Sequence, residues 1–172
     1  FEVPTSELAF WDVTRDKLCL ETGEYAFMAG SSSGDIRLEG TIAIQGETIP
    51  PRDLCRVTRA VNYDDYSNVY MSENTEGGDS VAAAADGAWI RFDDVKLHDD
   101  IRFVELRASS TGDASVDVRL DSPDGPLVGS CKLQATGGWQ TATSAIEPHS
   151  GNRSVYLIIH GNAKLGWFRF GR

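Results

Sequence analysis

The sequence lacks long apolar runs, an excess of positive charge and any sustained helical stripe. No stretch reaches the roughly 20 apolar residues that span a bilayer. A formal net charge of −10 repels both phosphate backbones and anionic lipids. We therefore expect neither nucleic acid nor a membrane as a partner. The chain starts at Phe1 without an initiator methionine or a signal-peptide pattern, so we expect a fragment or a processed piece.

Cysteine is also scarce. Cys19, Cys55 and Cys131 are widely spaced and odd in number, which fits neither a disulfide framework nor a zinc-binding spacing. We predict that these three residues are reduced thiols and that most of them are buried, because free cysteine packs as a small apolar side chain.

What the chain does contain is period-two alternation and short β-rich runs, separated by Gly, Asp, Ser and Asn. With 41% hydrophobic residues, there is enough apolar surface for a packed core. The pattern predicts an all-β fold of short strands, one of them over residues 56–62. Trp11, Trp89 and Trp167 each lie in an alternating segment, and we predict that they are buried in a core.

Two adjacent prolines, Pro50 and Pro51, mark the main break in the chain because they remove backbone donors and favour an extended spacer. We predict a first domain over residues 1–46, a linker over 47–54 and a second domain over 55–172. A piece of about 46 residues seldom buries enough surface to fold unaided. We therefore expect another chain, or an N-terminal fragment of the same polypeptide, to complete its sheet.

The sequence shows no pattern of acidic residues or histidines that is typical of a catalytic site. The paired acidic residues, at positions 64–65, 93–94 and 99–100, are adjacent, and neighbours on a strand point to opposite faces. A hydrolytic pair of carboxylates needs two groups that face each other across a cleft. The three histidines, His98, His149 and His160, are scattered, and we expect them to be ordinary surface residues. An independent hydrolase is therefore the least favoured reading.

Residues 116–129 are the most informative stretch. An alternating strand, a turn of Pro and Gly, and a second strand are followed by a Gly-rich loop at 136–138 that leads into Trp139. This pattern describes a sugar-binding β-sandwich better than a catalyst.

Residues 8–12, 20–25 and 30–38 resemble the end of the fibronectin-III-like domain that closes glycoside hydrolase family 3 enzymes. The resemblance implies a partial immunoglobulin or fibronectin-III-like sandwich. It also implies a β-glucosidase-like parent whose catalytic carboxylates lie on sequence outside this chain, so that the chain itself is non-catalytic. The implied partner is the catalytic N-terminal portion of the same enzyme or a companion chain.

Residues 55–172 resemble a family 6 carbohydrate-binding module, a β-jelly-roll sandwich. The matching blocks are residues 60–67, residues 86–92, the hairpin with its Trp139 loop, and residues 166–170. The resemblance implies a site in the loops at one rim of the sandwich, which would take a β-linked oligosaccharide or glucoside.

In that family two aromatic residues clamp a pyranose ring and an asparagine hydrogen-bonds it. Trp139 occupies the position of the stacking tryptophan, with Gln140 beside it, and Asn162 is the candidate for the asparagine. The second aromatic position holds Ala83, so one wall of the clamp is missing. We expect weak binding or a repurposed site, and the alternative is a structural packing module that binds no sugar.

The family's structural calcium normally has glutamate ligands where this chain has Arg59 and Val61, and a further polar ligand where it has Gly166. Calcium prefers several hard oxygen ligands, and an arginine in the shell would repel it. We therefore expect no cofactor. A calcium site would have to use backbone carbonyls with Asp64, Asp65 or Glu73.

The compartment stays open, because two signals point in opposite directions. Unpaired thiols and the missing signal pattern favour the cytoplasm, whereas sugar-binding modules favour an extracellular location. We expect a cytoplasmic protein before a secreted one.

Overall fold

A computed structural model describes residues 2–172 and is built almost entirely of β-strands, which confirms the all-β prediction. Two short 3-10 helices, Thr5–Leu8 and Ala60–Asn62, accompany the strands. The strands are β1 (Phe10–Asp12), β2 (Lys17–Cys19), β3 (Gly23–Ser32), β4 (Asp35–Ile44), β5 (Thr58–Arg59), β6 (Asp65–Ser67), β7 (Val69–Glu73), β8 (Asp79–Ala83), β9 (Ala88–Leu97), β10 (Phe103–Ser110), β11 (Ala114–Leu120), β12 (Leu127–Leu133), β13 (Trp139–Ala145), β14 (Gly151–His160) and β15 (Ala163–Gly171). The chain divides into two compact units, one up to Pro50 and one from Pro51 onward.

The first unit contains two separate antiparallel pairs, β1 with β2 and β3 with β4. In the long β3–β4 hairpin, the register puts Tyr25 opposite Ile42 and Ala29 opposite Leu38 on one face. This face is apolar, yet Leu38 is 72% exposed and Ile42 is 57% exposed. A sheet face of this composition normally packs against another layer.

Asp12 anchors the turn after β1. Its carboxylate accepts hydrogen bonds from the backbone and side chain of Thr14 and pairs with Arg15. Burial of the carboxyl group raises its pKa, but these hydrogen bonds and the Arg15 charge outweigh that effect and lower the pKa of Asp12 to about 2.

The second unit is a sandwich of two antiparallel sheets. Sheet I has the strand order β13-β10-β15-β8-β7, with β5 also paired to β15, and sheet II has the order β12-β11-β14-β9-β6. Along β10 the side chains alternate between buried and half-buried, as expected for a strand with one face on a core. Phe168 lies at the centre of this core and packs edge-to-face against Phe92 and Phe170, with ring centroids 4.9 and 6.1 Å apart.

The hairpin predicted around residues 116–129 is present as β11 and β12, with Val118 opposite Gly129. Its turn needs glycine at position 125, because an added Cβ would overlap the Leu120 carbonyl oxygen. The Pro and Gly signal therefore marked a real steric requirement.

The division between the two units falls inside the segment predicted as a linker. Arg52 pairs in a parallel bridge with Val95, binds Asp64 through its guanidinium and lies 5.3 Å from the Phe92 ring centroid. Leu54 is 1% exposed and belongs to the core of the second unit. The last residues of the segment are thus packed parts of the sandwich.

The strand predicted over residues 56–62 is wrong in most of its length. Only Thr58–Arg59 pairs with a neighbour, and the 3-10 helix Ala60–Asn62 follows it. Ala60 is fully buried at this helix, so packing of one small residue overrides the local β pattern.

The tryptophan prediction is also wrong. Trp11 is 54% exposed, and Trp89 and Trp167 are half-buried on the outer faces of their sheets. Alternation explains the result for Trp89, because Ile90 and Phe92 occupy the inward positions of the same strand. Trp89 instead packs at 5.2 Å, edge-to-face, on the outer surface against Tyr156.

All three cysteines are free thiols, as predicted, and Cys19 and Cys131 are buried while Cys55 is half-buried. Burial raises the pKa of the Cys131 thiol to about 11, so this thiol stays protonated and unreactive at neutral pH. In the described part of the chain there is no helix of the length and apolarity that a membrane crossing requires.

Candidate functional site

Four chain segments meet at one end of the sandwich and form a surface that we call the crest: residues 84–87, 111–113, 134–138 and 161–162. Antiparallel pairing brings them together, since β10 and β15 end side by side with Ser110 opposite Ala163. Two hydrogen bonds donated by backbone amides link these segments to one another and to the end of β10. Gly137 donates to the Ser110 carbonyl at 2.8 Å, and Gly161 donates to the Asp86 carboxylate at 2.9 Å.

Trp139 is the first residue of β13 and lies next to the crest, opposite Ser109 of β10. The side chain is half-buried. Its indole Nε1 donates a hydrogen bond to Thr75 Oγ at 3.1 Å, and a Cβ added to Gly166 would lie 3.2 Å from its Cζ3 atom. The indole is therefore held in a defined position against the outer face of sheet I, where a side chain at position 166 would press on the ring.

The turn between β7 and β8 supplies the other support for Trp139. Glu76 in this turn forms a two-pronged ion pair with Arg107 of β10, and Arg107 also donates to Thr141 Oγ at 3.1 Å. The Arg107 hydrogen bond lowers the pKa of the Glu76 carboxyl group. Because Thr75 and Glu76 are adjacent, this ion pair fixes the turn that hydrogen-bonds the indole.

Gln140 follows Trp139 in β13, so the two side chains point to opposite faces of the strand. The Gln140 side chain supports the loop over residues 134–138. Its Nε2 donates to the Gln134 carbonyl at 2.6 Å, and its Oε1 accepts from the Gln134 backbone amide at 3.1 Å. Both polar ends of the side chain are thus used within the loop, and a ligand contact by Gln140 stays a prediction.

Asn162 is exposed on the crest. Its Nδ2 donates to Thr111 Oγ at 3.1 Å, and its backbone carbonyl accepts from the Ser110 hydroxyl at 3.0 Å. Within residues 2–172 no group donates to the Asn162 Oδ1 atom, which can therefore accept a hydrogen bond from a ligand.

The predicted site residues do not form one hydrogen-bonded cluster. The side chains of Trp139, Gln140 and Asn162 take three different partners. Ala83, at the position of the missing aromatic residue, ends β8 opposite Val69 and is half-buried. What the structure offers is one oriented indole next to the crest and one free amide oxygen on it.

A cavity of about 610 Å³ lies at the same end of sheet II and shares Asp86, Asp113 and Gly161 with the crest. It is lined by Asp86, Asp113, Ala114, Ser115, Lys132, Leu133, His160 and Gly161. Among these lining residues, the His160 ring lies between two carboxylates, with Nδ1 3.6 Å from Asp86 and Nε2 3.4 Å from Asp117. Sequence reasoning missed this cavity, because its lining comes from four separate segments and only the pairing of β11, β12 and β14 places them together.

The residues at the expected calcium position do not suit the ion. Asp64 is engaged by Arg52, and Asp65 lies 3.3 Å from the guanidinium of Arg91. Arg59 folds its guanidinium against Gly78, so a positive charge stands where a ligand would be needed. Among residues 2–172 no group of three or more acidic, histidine or cysteine side chains could hold a metal ion.

The second unit is therefore a jelly-roll sandwich that presents polar groups and an oriented tryptophan at one loop edge, the architecture of a small ligand-binding module. Residues 59–172 match the family model for carbohydrate binding module (family 6), and the chain belongs to this family. Residues 1–33 match the model for the fibronectin type III-like domain. The predicted carbohydrate-binding module is thus confirmed.

Solved structures with the same fold include a family 6 module from Clostridium cellulolyticum in complex with xylose, at 26% identity and a TM-score of 0.67. The match covers 70% of this chain and 100% of that one. A β-1,3-glucan binding family 6 module from Bacillus halodurans matches at 27% identity and a TM-score of 0.64, over 70% of this chain and 98% of that one.

Among curated relatives, endo-1,4-beta-xylanase A from Thermoclostridium stercorarium is 23% identical over 150 residues, which cover 81% of this chain and 29% of the relative. Arabinoxylan arabinofuranohydrolase from Paenibacillus polymyxa is 41% identical over 51 residues, 28% of this chain and 8% of the relative. The chain thus spans less than a third of the length of these enzymes.

Proposed function

We propose that residues 55–172 bind a β-linked glycan at the crest and serve a larger glycoside hydrolase as a non-catalytic module, by targeting it or by shaping its active-site entrance. The observation that carries this proposal is the half-exposed indole of Trp139, held by Thr75 and seated against Gly166. An aromatic ring in a fixed position offers an apolar face to the C–H groups of a sugar, while polar groups such as the Asn162 amide read its hydroxyls.

We expect the affinity to be low because the second aromatic wall is absent at Ala83. An aromatic contact contributes about 0.5–1.5 kcal/mol beyond the area it buries, which corresponds to roughly a two- to tenfold change in affinity. A single wall also leaves one face of the sugar in water.

For the rest of the enzyme we propose a family 3 β-glucosidase-like parent, on the resemblance of residues 8–38. The exposed apolar side chains of the first unit support a missing layer: Trp11 is 54% exposed, Leu18 63% and Leu38 72%. We propose that strands from the catalytic N-terminal portion, or from a companion chain, cover this surface. Expression of the chain together with that portion should give a complex that stays intact through gel filtration.

A second candidate is a purely structural module that packs inside the enzyme and binds no sugar. This candidate is favoured because the Trp139 indole N–H already bonds Thr75 and the Gln140 amide already bonds Gln134, so neither group needs a ligand as its partner. It predicts that substitution of Trp139 changes stability or activity of the assembled enzyme and leaves glycan binding undetectable throughout.

Two further proposals concern calcium and the cellular compartment. We propose that the module needs no calcium, because Arg59 and Val61 stand at the expected ligand positions and Arg59 brings a positive charge. We propose a cytoplasmic location, which the three free thiols support.

The test of the proposed function is calorimetric titration of the chain with neutral xylo-, cello- and β-1,3-gluco-oligosaccharides. Trp139→Ala should abolish binding. Trp11→Ala is the matched control, since Trp11 is an exposed tryptophan of the first unit, and it should bind as the native chain does. If saturating ligand produces no heat with the native chain, the glycan-binding proposal fails and the structural module gains.

A further inference from the structure

We propose that Arg107 is a positioning residue for glycan binding, and that its ion pair makes the affinity for an uncharged glycan fall as the salt concentration rises. The inference rests on the proposed function, because it assumes that Trp139 stacks on a sugar. Arg107 acts without touching the ligand. It holds the turn between β7 and β8, residues 74–78, and this turn carries Thr75, the hydrogen-bond partner of the indole.

The 74–78 turn is shaped by its own hydrogen bonds but is not anchored by them. The Gly77 amide donates to the Asn74 carbonyl at 2.8 Å, and the Glu76 amide donates to Asn74 Oδ1 at 2.9 Å. Gly77 and Gly78 have φ values of +112° and +76°, and glycine leaves the backbone free to leave such conformations. The position of the turn over the sheet therefore depends on contacts outside the turn.

Those contacts are made by side chains, because no strand pairing reaches far enough. In sheet I, β15 lies between β8, which follows the turn, and β10, which carries Arg107. The turn thus reaches Arg107 by crossing the outer face of β15. It crosses at Gly166, where the Asn74 amide and the Trp139 indole both lie 3.2 Å from the position that a Cβ would occupy.

Arg107 joins the turn to the strand that carries Trp139. Its Nε donates to the Glu76 carboxylate at 2.8 Å, and its Nη2 binds the other oxygen of the same carboxylate. Its Nη1 donates at 3.1 Å to Thr141 Oγ, two residues beyond Trp139 along β13. One guanidinium thereby holds the segments on both sides of the Trp139–Thr75 hydrogen bond.

The ion pair is accessible to dissolved ions, since Glu76 is exposed and Arg107 is half-buried. Salt screens such charges as the Debye length shrinks from about 30 Å at 0.01 M to about 3 Å at 1 M. The Arg107 hydrogen bond lowers the pKa of the Glu76 carboxyl group, so both partners are charged at neutral pH. A neutral oligosaccharide has no charge of its own to screen, so a loss of its affinity with salt points to a charge pair within the protein.

The test is calorimetric titration of the full chain with the neutral oligosaccharides, using Arg107→Met, Glu76→Gln and the double variant. Exposed ion pairs are weak, although a two-pronged geometry strengthens them, so we expect each single variant to lose about two- to fivefold in affinity at low salt. The double variant should bind no more weakly than Arg107→Met alone, because both substitutions break the same pair. Between about 0.01 M and about 1 M salt, the native chain should lose a similar factor and the variants should lose less.

Asp121→Asn/Arg153→Met is the matched control. Arg153 binds the Asp121 carboxylate through Nε and Nη2, and here too the arginine is half-buried and the acidic residue exposed. This control should keep the affinity and the salt dependence of the native chain. A second measurement needs no ligand: the indole N–H resonance of Trp139, assigned by its absence in Trp139→Ala, should move in Arg107→Met and Glu76→Gln but not in the control.

The outcomes separate the two proposals. If the native chain binds glycan and Arg107→Met binds it equally well at every salt concentration, the positioning role is wrong while glycan binding stands. If the native chain binds no neutral oligosaccharide, the proposed function fails, and this inference with it. If the losses of the two single variants add in the double variant, Arg107 does not act through Glu76. If the variants change only the Tm, with the indole resonance and the salt dependence unmoved, the ion pair is merely structural and the inference is wrong.

Discussion

The substitution Gly166→Ala tests the packing of the Trp139 indole against position 166 and leaves the tryptophan in place. The new Cβ would lie 3.2 Å from both Trp139 Cζ3 and Asn74 Nδ2, whereas ordinary contacts of this kind lie at 3.4–4 Å. The indole and the Asn74 amide must therefore each retreat by a few tenths of an ångström. The Trp139 Nε1 to Thr75 distance is already 3.1 Å, so even a small retreat weakens this hydrogen bond.

The size of the effect follows from these contacts. A neutral hydrogen bond contributes about 0.5–1.5 kcal/mol net, so we expect the free energy of unfolding to fall by about 1 kcal/mol. For a domain of this size that corresponds to a fall in Tm of about 2–6 °C. Because the indole also moves, its fluorescence emission should shift and the affinity for oligosaccharide should fall several-fold.

Gly112→Ala is the matched control, because an added Cβ at Gly112 meets no atom within 4 Å and the backbone there does not have a positive φ. Such a substitution is neutral or slightly stabilising, since alanine restricts the unfolded chain. Thermal melts and tryptophan emission spectra of the two variants give the comparison. Equal Tm values and equal spectra would show that the indole does not rest against position 166, and the placement of the site would then be wrong.

Three further predictions concern the clamp, acid stability and calcium. Ala83→Tyr should lower the Tm, because Ala83 packs against the core of the sandwich and a large ring there overpacks it at a cost of about 1–3 kcal/mol; an unchanged Tm with a roughly three- to tenfold gain in oligosaccharide affinity would show instead that position 83 faces the ligand. The pKa of Asp12 falls from 3.8 in the unfolded chain to about 2 in the folded chain, so the ionised carboxylate stabilises the fold. It contributes about 2 kcal/mol to the free energy of unfolding at a pH above 3.8, and this contribution is lost as the pH falls from about 4 to about 2. Asp12→Asn should therefore lower the free energy of unfolding at pH 7 but not at pH 2, in denaturant titrations run beside the exposed control Glu39→Gln. Treatment of the chain with EDTA should leave its Tm unchanged. A fall in Tm that added calcium reverses would contradict the interpretation that the charge of Arg59 keeps calcium away.

The sheet architecture was predictable because strand alternation is a local property. Buried and outward residues alternate along β10 and β11, and the turn at Gly125 is required by a steric contact within its own hairpin. The local pattern predicts no strand over residues 65–67, where the structure has β6. It contains three residues and is defined only by its pairing with β9, which no local pattern reveals.

The candidate site was predictable in part. Trp139 and Asn162 could be singled out from the order of the sequence blocks, but their hydrogen-bond partners could not. Thr75 is 64 positions away from Trp139, and Thr111 is 51 positions away from Asn162. Separations of this kind are bridged by sheet pairing, so the position of the indole against Gly166 had no signature in the residues around Trp139.

By itself, the sequence determined the all-β class, the hairpin turns, the free thiols and the kinship with a carbohydrate-binding module, because these depend on residue type, local period and turn chemistry. Only the tertiary structure decided which side of each tryptophan is buried, where the indole of Trp139 rests, and that His160, Lys132 and Asp113 surround one cavity. The physical reason is that strand pairing brings distant residues into contact, and only those contacts set burial, charge and access at a site.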